Sequence, residues 1–207
     1  MSVAEKIQQL VELEWQFFQE VHNEGGRADC QNNWPTFRLM RSSQFVPWPE
    51  PLIDSYLKDL QEASHQGRNP LTEKYAWMMA RTAPAAFERL QHQLPPLAPE
   101  AVTLINEIIP YHLQWMAEYH QRYPHLAATN RAATSSEDTS TDTSFETYLE
   151  GELKTYSLNT LRLYLAFVRQ LAANQQNLAL LTMDATVKGY GYASLDAAEA
   201  ALSNAQS

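Results

Sequence analysis

The sequence predicts an all-α fold of about seven to nine irregularly packed helices. Three observations predict it. Only six glycines occur in 207 residues. Alternating runs rich in Val, Ile and Thr, the signature of strands, are missing. Apolar residues recur instead at helical spacing over almost the whole chain.

Each element then follows in order. A first helix is read over residues 3–23, where Val3, Ile7, Leu10, Val11, Phe18 and Val21 form one stripe and Gly25-Gly26 supply the stop. Residues 24–51 read as irregular, with room for a short helix over 36–44, because Pro35, Pro47, Pro49 and Pro51 interrupt them. Residues 52–66 are amphipathic, with Ile53, Tyr56, Leu57 and Leu60 on one face. Gly67 and Pro70 separate them from a helix over 71–82, and another covers 85–93 before Pro95 and Pro96. A long helix spans 99–123, with a kink expected at Pro110. The stretch 134–144 has no apolar side chain to offset its ordering entropy and reads as a disordered loop. Helices over 145–173, 178–187 and 194–202 complete a single domain spanning 1–207.

Composition narrows the function. A single cysteine, Cys30, rules out an intramolecular disulfide framework. No apolar run is long enough to cross a membrane, and the first residues lack the apolar core of a signal peptide, so a cytoplasmic protein without membrane contact is expected. The net charge of −9 repels a phosphate backbone and argues against nucleic acid as partner.

Helical wheels expose the residues that carry chemistry. Glu14 falls at the centre of the first apolar stripe. Glu152 does the same among Phe145, Tyr148, Leu149, Tyr156, Leu163 and Phe167, and His112 among Ile105, Ile109, Met116 and Tyr119. Burying a carboxylate is costly unless it is paired. These residues therefore form either a structural network or a polar pocket fit for proton transfer. Between residues 22 and 48, Arg27, Arg38 and Arg41 outnumber Glu24 and Asp29, a local +1 in an acidic chain. A guanidinium fork suits a planar carboxylate or phosphate on a ligand. It equally suits Glu14 and Glu152.

Cys30 is a candidate nucleophile beside Arg27, or else a small core residue. Lys74 and Tyr156 suit acid or base work if buried. Glu62 and His65 have the spacing of a di-metal helix motif, but they lie opposite the apolar face and have no second copy. A mononuclear metal on Glu14, His112 and Glu152 is an alternative, while His92, His120 and His125 lack zinc spacing. No motif names a cofactor.

Several blocks together resemble a bacterial family of proteins of unknown function. They are Glu14-Trp15, NEGGRADCQ at 23–31, FRLMRSSQF at 37–45, NPLTEKYAWMM at 69–79, SFETYLEGELKTYS at 144–157 and YGYASLDAAE at 190–199. The resemblance implies a helical protein, sometimes joined to other domains. It supplies no reaction, cofactor or catalytic residue.

The reading is of a protein that binds, or binds and transforms, a small anionic or zwitterionic metabolite. The candidate catalytic residues are Glu14, Cys30, Glu152 and Tyr156. The candidate ligand contacts are Asn23, Gln31, Arg38, Arg41, Gln44, Lys74 and Tyr75, with no metal assigned. The rival reading is a protein-interaction module that docks a partner through Trp34, Phe37, Phe45 and Trp48.

Overall fold

Besides α2 (Trp34–Phe45), which has Pro35 in its first turn, five helices begin with proline or carry it in the first turn. A ring-locked φ suits that position, and the missing N–H costs nothing there. Proline therefore starts these helices rather than breaking them: α3 (Glu50–His65), α4 (Pro70–Thr82), α5 (Pro84–Leu90), α6 (Pro99–Arg122) and α7 (Pro124–Ala127). Polar caps start the others. Ser2 forms a capping box with Glu5 at α1 (Val3–Gln19), and Asn33 accepts from Thr36 at α2 (Trp34–Phe45). Ser144, Ser157 and Asn177 cap α8 (Phe145–Leu153), α9 (Leu158–Ala173) and α10 (Leu178–Gly189), ahead of α11 (Leu195–Ala205).

This is a computed structural model, and it describes residues 1–22, 29–139 and 142–205. Among the described residues there are eleven α-helices and no strand, so the expected seven to nine is an undercount. Two events explain it. The stretch read as one helix over 145–173 breaks at 154–157, where the Ser157 cap and Asp59 stop propagation. Asp59 accepts from the Ser157 amide at 3.0 Å and from the Thr160 hydroxyl at 2.6 Å. The four-residue α7, too short to show a period, adds the second. Helix α6 runs through Pro110 rather than ending there. After α3, Gly67 takes φ +67 while its amide reaches Ser64 O and the Arg68 amide reaches Ala63 O, a Schellman cap that favours a residue without Cβ.

Helix α1 packs on α2, α3 and α4; α4 packs on α8; α6 lies along α9; and α10 closes over α2 and α6. The main core runs through α1, α2, α3, α6, α8 and α9. A smaller cluster joins the end of α6 to α7, α10 and α11. Gly151 lets α8 approach α4 closely: a Cβ there would stand 2.8 Å from Met78 Cγ and 3.0 Å from the Lys74 carbonyl. That close approach sets Lys74 beside Glu152. No helix of the described residues is long and apolar enough to cross a membrane.

Within 134–144, the described residues carry polar anchors in place of apolar ones. Residues Ser135–Glu137 form a 3-10 turn. Asp138 accepts from the Ser144 amide and the Thr147 hydroxyl, and Glu146 accepts from the Ser135 amide.

Candidate functional site

Glu14 reaches the core because it sits on the apolar stripe of α1, between Leu10 and Phe17–Phe18. It is 0% exposed, and Glu152 is 4% exposed. The two carboxylates, 138 positions apart in sequence, meet at one guanidinium. Arg41 on α2 donates Nε and Nη2 to Glu14 at 2.6 and 2.5 Å. It also donates Nη2 and Nη1 to Glu152 at 3.1 and 3.4 Å, and Nη1 to Gln44 Oε1 at 2.6 Å. A guanidinium has five N–H donors, and these contacts occupy all five. Arg41 is therefore the structural partner of the buried glutamates, and it keeps no donor for a ligand.

Glu152 is equally saturated. Besides Arg41, it accepts from Gln44 Nε2 at 3.1 Å, Tyr156 OH at 3.0 Å and Lys74 Nζ at 3.3 Å. Burial pushes its carboxyl up, but Arg41 and Lys74 outweigh that and hold it well below the ordinary carboxylate range. Tyr56 donates to Glu14 at 2.8 Å. Burial, with the glutamates beside them, lifts Tyr56 and Tyr156 well above the ordinary phenol value. Both remain hydrogen-bond donors at neutral pH. The geometry sets Glu14, Glu152 and Tyr156 together in one hydrogen-bonded network around Arg41.

Lys74 is 5% exposed and donates to Tyr148 OH at 2.7 Å. Its Nζ also lies 3.9 Å from the centre of the Tyr148 ring. Burial would lower its pKa, yet Tyr148 and Glu152 raise it, so Lys74 stays an ammonium. Of its three donors, two meet protein acceptors among the described residues. Arg131 covers the same tyrosine, its guanidinium carbon 5.2 Å from the ring centre.

Two cavities flank this network. The first, about 390 Å3, is lined by Glu14, Arg41, Lys74, Tyr75, Tyr148, Glu152 and Arg131, with Phe37 and Leu71 as apolar walls. The second, about 430 Å3, lies on the α6, α9 and α10 side and contains His112 and Tyr164. Arg41, Tyr148, Glu152, Arg131 and Met40 border both.

The chain matches a family model described as Protein of unknown function (DUF4125) over residues 4–200. The chain belongs to this family. No curated protein and no solved structure matches it. The family covers every residue of the network, from Glu14 to Tyr164. The reading of these residues therefore rests on their geometry.

The structure brings together Glu14, Arg41, Gln44, Lys74, Tyr75, Glu152 and Tyr156 at or beside the first cavity. It does not bring Arg38 there: Arg38 is exposed on the outer face of α2, three positions before the inward Arg41, and that expectation is corrected. Gln31 is buried but serves α1, donating to the carbonyls of Phe18 and Val21 at 2.7 and 3.0 Å; it lines neither cavity. Asn23, the Gly25-Gly26 stop, Arg27 and the Cys30 side chain lie outside the described residues. His112 bonds Tyr164 rather than either glutamate, and among the described residues no group of three or more His, Cys, Asp or Glu is placed to hold a metal. The four aromatics proposed to dock a partner are turned to packing. Phe45 and Trp48 are core, while Trp34 and Phe37 lie half-buried against Trp15.

Sequence reasoning missed Tyr148, Tyr164 and Arg131 as site residues. It placed Tyr56 and Tyr148 on apolar stripes, where a tyrosine hydroxyl needs an acceptor, and that was the available signal. Arg131 carried none.

Proposed function

We propose that this protein binds a small organic anion carrying one negative charge in the cavity beside Lys74. One observation carries the reading. The charged side chains lining that cavity are Glu14, Glu152, Arg41, Lys74 and Arg131, a local +1 inside a chain of −9. Glu14 and Glu152 are balanced by Arg41 and Lys74, which leaves the surplus charge at Arg131, beside Tyr148. The third Lys74 donor is available to an anionic oxygen, and Arg131 reaches it from the exposed rim. Tyr75, Phe37 and Leu71 offer apolar contact for an organic body. The volume falls in the range of small-molecule sites. Glu152 is held ionised, and Tyr56 and Tyr156 are held protonated, near neutral pH, so the site is built for recognition.

A thermal-shift panel of aryl and alkyl carboxylates and phosphate monoesters tests this. A binder at 100 times its Kd raises stability by ~2.7 kcal/mol. Arg131→Gln should weaken that binder about tenfold, worth ~1.4 kcal/mol, and leave the unliganded melting temperature unchanged. A panel without a binder, or an Arg131→Gln protein that binds equally well, overturns the reading.

A further inference from the structure

The second cavity has a different chemistry. Its wall is mostly apolar, with Phe145, Leu149 and Leu178 joined by Met40, Met116 and Met183. Half of the six methionines of the chain therefore face one space. Protein cores rarely keep voids larger than a water molecule. Flexible thioethers are suited to adapt around an apolar guest. Arg41 and Glu152 border this chamber as an already neutralised pair, and Arg131 stands at its exposed rim.

One polar pair of the wall keeps a proton to spare. His112 Nε2 and Tyr164 OH lie 3.0 Å apart. Burial lowers the imidazole to about 4, so it is neutral at pH 7 and each partner brings one proton. One proton makes their mutual hydrogen bond. Whichever way that bond runs, the other proton remains as a free N–H or O–H donor. A donor left unsatisfied in a core is costly. An unspent donor at His112 or Tyr164, in a chamber whose wall is mostly apolar, suits an acceptor that carries no charge.

We propose that this chamber, bounded by α6, α8, α9 and α10, is a second binding site, for an uncharged and largely apolar molecule bearing a carbonyl-type acceptor. It shares Met40, Arg41, Arg131, Tyr148 and Glu152 with the anion cavity, but the proposal does not rest on anion binding there. The probe is Prodan, an uncharged naphthyl ketone whose emission shifts to the blue out of water.

Prodan should bind the full chain saturably, one per molecule, with blue-shifted emission. It should also bind in excess benzoate, so the absence of any anion binder leaves this result standing. Its carbonyl-free parent, N,N-dimethyl-2-naphthylamine, should bind about tenfold more weakly. Thr182→Phe, which fills the chamber from α10, should cost at least tenfold in Prodan affinity. Methyl spectra of labelled methionine locate the probe in wild-type protein without any variant: the Met116 and Met183 signals should move, while Met1 and Met79 stay. Equal affinity for the two naphthalenes would overturn the acceptor requirement. Absent binding, shifts confined to Met1 and Met79, or a folded Thr182→Phe protein that binds as wild type does would overturn the site.

Discussion

Around Glu152, two cations, an amide and a phenol donate to a single carboxylate, and the energetics of the site begin there. An isolated buried carboxylate would take up a proton; this one stays ionised because its compensation is complete. His112 shows the opposite solution, a titratable group kept neutral by burial. Its folded pKa of about 4 lies below the unfolded value of 6.5. The unfolded chain therefore binds this proton first as pH falls. The contribution to stability is complete above pH 6.5 and is lost between 6.5 and 4, at ~1.4 kcal/mol per pH unit and ~3 kcal/mol in all. His112→Phe should remove this portion of the pH dependence, read from urea unfolding at pH 7 and pH 4.5. If wild type and variant lose equal stability between those pH values, the imidazole is not the group responsible.

Between helices, spacing matters as much as chemistry. Lys74 can reach Glu152 only because Gly151 allows α4 and α8 to touch. Gly151→Ala should force the two helices apart, since one of the close atoms is the Lys74 carbonyl and cannot rotate away. Overpacking of this kind costs ~1–3 kcal/mol, and that outweighs the gain in helix propensity of up to ~1 kcal/mol from replacing glycine. A denaturant midpoint at or above wild type would contradict this. The break between α8 and α9 is also a capping event: Ser157→Ala should cost ~1 kcal/mol with an unchanged m-value. Helix existence was legible in the sequence almost everywhere, because apolar periodicity survives without context. The break at 154–157 was not, because Ser157 stops the helix with the help of Asp59, 98 positions away.

Across the whole molecule, the network links α1, α2, α3, α4 and α8 through Arg41, so it acts as a polar tie within an apolar core. Removing one partner of such a group strands the rest. Arg41→Met should destabilise by ~3–5 kcal/mol, and adding Glu14→Gln to it should recover part of that loss by removing a stranded charge. Equilibrium unfolding of both proteins checks the pair. A benign Arg41→Met, or a double variant worse than the single, would show that the carboxylates do not depend on this guanidinium. Exposed pairs such as Arg162 with Glu100 carry far less, because water screens them.

The sequence by itself determined the helical class, most helix positions and the burial of Glu14, Glu152 and His112, because each depends on a 3.6-residue period within one segment. It also singled out Arg41, Gln44, Lys74 and Tyr156. It left open whether Arg41 grips a ligand or a glutamate, since the guanidinium fork fits both. Only the tertiary structure decided that, by bringing Glu14 and Glu152 to the same five donors. It likewise turned Arg38 outward, placed His112 on Tyr164 and opened a cavity on each side of the network. The physical reason is range. A helical period is local, whereas pairing among buried charges is settled by which faces of distant helices meet in the packed core.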